Sequence, residues 1–466
     1  MSDTGSIVPV QLSGKKKAAL LLAAMLLYAG FASSGFGVGV ALPVKLAAMD
    51  AIPFFSLATA TSTLGMMLAL CLSGKLCDVF GVKALAMFGV ALQFAARLIS
   101  MYVASIPLFI ALFVVQAVGN GFFLTTPFII ISDIAEPKDR PKFFGMLMTF
   151  MAIGSLIGPL FAGLLLELGQ LTLAFLSYIP FMIVAVPIIM ATYPNRKPGH
   201  TIGAKFDVLG ILLLVLSIGL IVMWLNLGGT FFSWTSALGI ILPLVGIIAL
   251  FLLIIVERKH ANPAVPVMMF AKKRFTVSFI CAFLATAFSG AIASYGLLFS
   301  QQVMEVSPAL SSTVTMPMTI VQMVMGIVFG RVLGKNFVKR FRPMALISLL
   351  FVLAASLVLC LLTPASSMII IYIAAVLGGV GTVIPQSNFV PFFQTQLQPN
   401  EYHLAQGMFQ FGATGGTTIY MAIGGAMLNG GATFTQVFIL GAILVGVSVV
   451  VGLVGFRFTN EEKACS

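Results

Sequence analysis

The stretch from Gly74 to Lys83 reads Gly-Lys-Leu-Cys-Asp-Val-Phe-Gly-Val-Lys. It stands between two strongly apolar segments, Pro53 to Ser73 and Ala84 to Ala104, each long enough to cross a bilayer as a helix. A charged, glycine-bounded connection of this kind reads as a short loop on a membrane surface. Gly74 and Gly81 permit a tight turn or close helix contact, Asp78 can accept from helix N-terminal amides, and Lys83 supplies a positive end charge.

Composition extends that reading to the whole chain. Of 466 residues, 60% are hydrophobic and only 8% charged, far too little polar surface for a soluble fold. The net charge of +12 would suit nucleic acid only if the basic residues clustered on one soluble face. They are dispersed among apolar segments instead, which excludes that partner. Cys71, Cys77, Cys281, Cys360 and Cys465 have no paired or metal-like spacing and read as packing residues. The first apolar run, flanked by Lys15, Lys16 and Lys17, is too long for a signal-peptide core and reads as a retained anchor.

Fourteen spans are expected: six ending at Thr192, two over Val208 to Leu227 and Ser236 to Val256, and six beginning at Thr276. An even number puts both termini on one side. Of the 25 Lys and Arg, only Lys45 and Arg97 fall outside the segments on that side, so the positive-inside rule makes it the cytoplasm. Polar connections, Tyr193 to Asp207 (with Asn195, Arg196, Lys197, Pro198 and Gly199) and Glu257 to Phe275, flank the middle pair. The expected domains are therefore a six-helix bundle over residues 1–192, a two-helix insert with its loops over 193–275, and a second six-helix bundle with a short tail over 276–466. Gly330-Arg331-Val332-Leu333-Gly334-Lys335 is a degraded counterpart of the opening stretch, with Gly334 where the aspartate would fall. It reads either as half of a parallel internal repeat or as one more basic turn.

The pattern Gly-x-Leu-x-Asp-x-x-Gly-x-Lys resembles the signature loop between spans 2 and 3 of the major facilitator superfamily, with Val79 and Val82 where basic residues are common. In span 5, Gly154, Gly158 and Pro159 followed by Gly163 offer a flat face for close helix packing and a proline bend. This run resembles the antiporter signature of drug exporters, and with fourteen spans the chain resembles the fourteen-span drug:proton antiporter family. The resemblance implies an all-α facilitator fold of two six-helix bundles plus a two-helix insert. It also implies a multi-pass monomer in the plasma membrane, surrounded by lipid, that moves a small organic substrate without a cofactor, with protons as the coupled ion. Two positions depart from the family. It usually carries an aspartate nine residues before an Ala-Leu/Ile-Pro end, where this chain has Ser34 before Ala41-Leu42-Pro43. It usually has an arginine in span 4 where this chain has Phe113, ahead of Gln116, Ala117 and Gly121.

The charges repeat that caution. None of the 13 acids falls near a midplane, where a coupling carboxylate would need its pKa shifted by desolvation. Asp133 at the inner end of span 4 and Glu167 at the outer end of span 5 are the coupling candidates, each otherwise a solvated helix-end charge. His200, His260 and His403 lie in or beside loops. Arg97, about two turns inside the outer end of span 3, either snorkels to the headgroups or holds an anionic substrate or a neighbouring acid. With Lys45 it gives the outer mouth a mild positive bias.

Neutral polar residues mark out a cavity. Gln116 and Asn120 lie one turn apart on a helix face beside Phe113, and Gln406, Gln410, Thr414 and Thr417 make a stripe along span 13. Tyr28, Ser34, Tyr295, Gln322, Gln386 and Asn388 complete a set that either lines a central pocket or ties helices together by hydrogen bonds. With 41 Phe and 25 Met available, such a pocket is apolar and adaptable. The chain carries no nucleotide loop, metal-spaced cluster or nucleophile elbow, so no enzyme is expected. A secondary transporter of amphipathic small organic molecules is expected, with drug or metabolite efflux leading. An uptake facilitator or symporter for an organic anion, and a non-transporting sensor, stay open.

Overall fold

The computed structural model describes residues 13–51, 54–194, 207–229, 231–259, 267–306 and 308–457. The connection from Asn195 to Gly199, His200, His260, Cys465 and the acids Asp3, Glu461 and Glu462 lie outside them. Each apolar run becomes a helix, since only a helix satisfies every backbone polar group within its own segment in hydrocarbon. The first six are α1 (Gly14–Ala47), α2 (Phe55–Phe80), α3 (Val82–Tyr102), α4 (Ile106–Ile134), α5 (Arg140–Glu167) and α6 (Ile179–Thr192). Next come α7 (Val208–Leu227) and α8 (Ala237–Lys259). The last six are α9 (Lys273–Gln302), α10 (Met316–Lys335), α11 (Phe337–Cys360), α12 (Met368–Gln394), α13 (Tyr402–Asn429) and α14 (Phe434–Gly455). Among the described residues, eleven helices are long and apolar enough to cross a membrane. Of the other three, α6 is shorter but apolar, α7 is an apolar helix of 20 residues, and glycines and threonines lower the hydropathy of α13.

Helix contacts repeat with an offset of eight. The pairs α1/α5, α2/α4, α3/α4 and α1/α6 recur as α9/α13, α10/α12, α11/α12 and α9/α14. The hairpin of α7 and α8 stands between the two sets in sequence, with α7 packed along α2 and touching α13. Much of α8 is exposed apolar surface, including Leu238, Ile240, Leu244 and Phe251.

The Gly74–Lys83 stretch is not a loop. Helix α2 continues through Gly74 and Asp78 to Phe80, and Gly81, at φ 87°, is the only residue separating it from α3. The helix persists because Gly74 is a contact point rather than a turn: a Cβ there would stand 2.4 Å from the His403 carbonyl oxygen and from the Leu404 Cα. Lys83 donates 2.6 Å to the Met190 carbonyl, placing its charge at the C-terminal end of α6. The second stretch behaves alike. Helix α10 runs through Gly330 and Gly334 to Lys335, and Asn336 then caps α11 by accepting from the Lys339 amide at 3.1 Å.

Two helix pairs bring the first and last six helices into contact near the face where α1 begins. Gly74 and Gly407 let α2 and α13 touch, a Cβ on Gly407 lying 2.6 Å from the Leu70 carbonyl oxygen. Gly145, Gly326 and Gly330 do the same for α5 and α10, where a Cβ on Gly145 would sit 2.2 Å from the Gly326 carbonyl oxygen. At this spacing the backbones themselves close the face, and no side chain can be inserted.

The glycines of α5 divide by function. Gly154 and Gly158 press against Ala29 and Ser33 of α1, with Cβ distances of 2.0 and 2.6 Å to their carbonyl oxygens, and Pro159 follows within the helix. Gly163 has nothing within 4 Å, so its place in the expected packing motif is corrected: the flat face ends at Gly158. Gly154→Ala is therefore expected to cost about 1–3 kcal/mol by overpacking, whereas Gly163→Ala is expected to stay within about 0.5 kcal/mol of the parent. Unfolding in mixed micelles checks the pair, and equal effects would contradict this packing.

Candidate functional site

Arg97 organises the site. Its helix, α3, carries it inward beside α1 and α4, and the side chain is only 2% exposed. It does not snorkel. Nε donates to Gln116 Oε1, Nη2 to the Ser34 hydroxyl at 2.7 Å and its carbonyl at 3.2 Å, and Nη1 to the Phe175 carbonyl at 2.7 Å. The Tyr178 ring lies 5.0 Å from the guanidinium carbon, within cation–π range.

The Phe175 carbonyl is available for a local reason. In an unbroken helix it would accept from the Ile179 amide, but that amide turns to Leu176, and the chain breaks between Leu171–Phe175 and α6. Ser33 and Ser177 bridge the same break reciprocally, at 3.1 and 3.3 Å. Gln93, one turn before Arg97, also donates to the Ser34 hydroxyl. Ser34 supplies acceptor atoms without supplying charge.

Arg97 borders a cavity of about 230 Å³ with Phe113, Gln116 and Asn120 of α4 and Thr59, Ser62 and Thr63 of α2. Gly35 and Gly39 of α1 line it as well, and neither would meet anything within 4 Å if it gained a Cβ. The cavity is open along that wall. Val38, Leu42, Phe55 and Met66 add apolar surface.

Other residues singled out in the sequence lie elsewhere. Tyr28 stacks on Phe31 and meets Phe128 edge-on within the core. Tyr295 donates to the Met421 carbonyl, and Gln322 to the Thr382 hydroxyl at 2.7 Å. Gln386 is half-buried and Asn388 buried in a π-helical segment of α12. Gln406 and Gln410 are buried on α13 with amide atoms that meet no hydrogen-bond partner, and Thr414 is half-buried on the same helix. Glu167 is exposed at the end of α5. Lys45 gives its ammonium to the Met101 carbonyl at 2.8 Å.

Asp133 is not the solvated helix-end charge that its position suggests, since its side chain is 6% exposed. His403, at the start of α13, points Nε2 at Asp133 Oδ1 (3.1 Å) and Nδ1 at Asp78 Oδ1 (2.7 Å). Tyr193 donates to the other oxygen of Asp133 at 2.6 Å. Beside this cluster Arg140 reaches the Ser132 carbonyl (2.7 Å) and Gln394 Oε1 (3.1 Å), so α12 and α13 are both tied to the end of α4. His403 was missed as a functional residue because it adjoins a loop. The signal was parity: the ends of α2 and α4 and the start of α13 fall on one face, which puts two acids opposite one histidine.

Two carboxylates on the two ring nitrogens call for the imidazolium, the only form with two donors. Burial opposes that charge, and Asp133 and then Asp78 outweigh it, raising the His403 pKa from 6.5 to about 10.

Comparison with known proteins agrees with the fold. The Major Facilitator Superfamily family model matches residues 20–208. The Multidrug transporter protein MdtP of Bacillus subtilis is 26% identical over 424 residues, covering 89% of this chain and 76% of that one. Multidrug resistance protein 3 of the same organism is 26% identical over 389 residues, covering 82% and 75%. Among solved structures, the proton:xylose symporter XylE bound to 6-bromo-6-deoxy-D-glucose superposes with a TM-score of 0.64 at 11% identity, covering 94% of this chain and 95% of that one. The match over residues 20–208, the relatives and the shared fold make this a multi-pass membrane protein similar to transporters of the major facilitator superfamily, and in particular to multidrug transporters.

Because its pKa is raised in the fold, His403 stabilises the closed face fully below about pH 6.5 and loses that contribution as pH rises through about 10. The thermal midpoint is expected to fall between pH 7 and 10 in the parent and to fall less in His403→Gln, which starts lower. The same pH slope in both proteins would contradict the ion-pair reading.

Proposed function

We propose that this chain is a fourteen-span secondary transporter that carries amphipathic small organic molecules out of the cell by alternating access. Residues 1–192 and 276–466 are the two moving bundles, and residues 193–275 form an insert facing lipid. It works as a monomer in the plasma membrane, with the basic face where α1 begins on the cytoplasmic side.

The observation that carries this reading is an asymmetry. A polar-floored cavity opens beside Gly35 and Gly39, while glycine pairs and the His403 cluster shut the opposite end. That is one half of a transport cycle, with the path open outward. Gln386, Asn388, Gln406, Gln410 and Thr414 then serve as lining when the other face opens. The amides of Asn388, Gln406 and Gln410, buried and unpartnered in part, gain water or cargo in that state. Efflux is supported by the multidrug transporters among the relatives. Proton coupling through Asp133 or Glu167 is the weaker component, because no acid lines the cavity among the described residues.

Purified protein in vesicles is expected to speed the release of an amphipathic fluorescent dye. Asn120→Ala and Gln410→Ala should each slow that release about tenfold or more at unchanged folded yield. Acceleration by an imposed pH difference identifies coupling, and its absence identifies facilitation. Dye release no faster than from empty vesicles would overturn the transport assignment.

A further inference from the structure

We infer that the cavity beside Arg97 selects organic anions, with a carboxylate or sulfonate seated against the guanidinium and an apolar body on the aromatic wall. The inference rests on the transport reading and names the cargo class of the same site.

The argument is one of charge balance. A buried arginine is normally neutralised by a carboxylate, because an unpaired charge in a low-dielectric interior is costly. Every partner of Arg97 is neutral: two carbonyls, one hydroxyl, one amide oxygen and one ring face. These acceptors hold the guanidinium in place without cancelling its charge. Among the described residues no acid lines the cavity, so the pocket carries a net positive charge. Four of the five N–H groups are committed and one on Nη1 remains.

The neighbouring groups complement an anion. Gln116 spends its oxygen on Arg97, which turns its amide nitrogen into a donor for something else. Asn120 is 9% exposed, borders the cavity and has a buried carboxamide oxygen with no partner. Its amide can face either way without changing shape. Phe113, Phe55, Leu42 and Val38 supply the surface for an apolar body. A cation would meet like charge here, and a neutral molecule would leave the arginine uncompensated.

Calorimetric titration of the full chain in nanodiscs tests this with three matched probes: 1-naphthoate, 1-naphthamide and 1-naphthylmethylammonium. Naphthoate is expected to bind at least about tenfold tighter than the amide, and Arg97→Gln to remove that preference. Should Arg97→Gln fail to fold, Asn120→Asp places a carboxylate in the same cavity. It is expected to weaken naphthoate about tenfold or more and to admit the ammonium. Failure of naphthoate to bind, equal binding of the amide or ammonium to the parent, or an unchanged preference in Asn120→Asp would each overturn the inference. Naphthoate binding without naphthoate flux in vesicles keeps the anion site and removes the transport reading. Flux of neutral and anionic probes alike does the reverse.

Discussion

Hydrocarbon does not solvate charge, and this constraint governs the chain at every level. Among the described residues it keeps nearly all charged side chains to the ends of the helices and leaves their middles uncharged. Where one charge does enter, the protein must bring solvent of its own making. Arg97 is solvated by a serine, a glutamine, a tyrosine ring and a carbonyl released by the break between Leu171–Phe175 and α6. The break exposes a backbone acceptor, and the acceptor makes the buried cation tolerable. Its charge stays unneutralised, and the cavity inherits that charge.

A second consequence concerns motion. Helices in lipid have no hydrophobic drive toward one another, so close approach depends on packing and on what lies between the backbones. Gly74 with Gly407, and Gly145 with Gly326 and Gly330, remove the side chains at two contacts between the bundles. On the proposed transport reading, the two sets of helices part there without leaving matching apolar sockets exposed. The charged cluster of His403, Asp78 and Asp133 adds what glycine contacts lack, which is strength that changes with protonation. The stretch that announced the fold in the sequence, Gly74 to Lys83, is thus a contact between α2 and α13 and a one-residue link to α3 rather than a loop.

Much of the architecture was legible because apolar runs, basic loops and glycine spacing are local signals. The apolar helices can be read along the chain, although α2 and α10 run on through residues that read as turns. Phe113, Gln116 and Asn120 were legible as a group because helical periodicity places them on one face of α4. The surroundings of Arg97 were not legible. Its fate depends on a helix break at Leu176 to Tyr178, inside a run that reads as continuously apolar. His403 was hidden by distance, since its partners lie 325 and 270 residues away. Gly163 shows the opposite error, a residue that matches a motif by spacing and meets nothing in the fold.

The account stands on an arrangement with one end shut by backbone contact and the other open to a charged cavity. Single cysteines at Gly39 and Ser73, in a background without the native cysteines, report on it directly through a membrane-impermeant maleimide applied from each side. Ser73 is fully buried beside Gly407, whereas Gly39 borders the cavity. The account expects Gly39→Cys to label from the outer side and Ser73→Cys to stay protected from both sides. Rapid labelling of Ser73→Cys from the side where α1 begins, with Gly39→Cys protected, would contradict it.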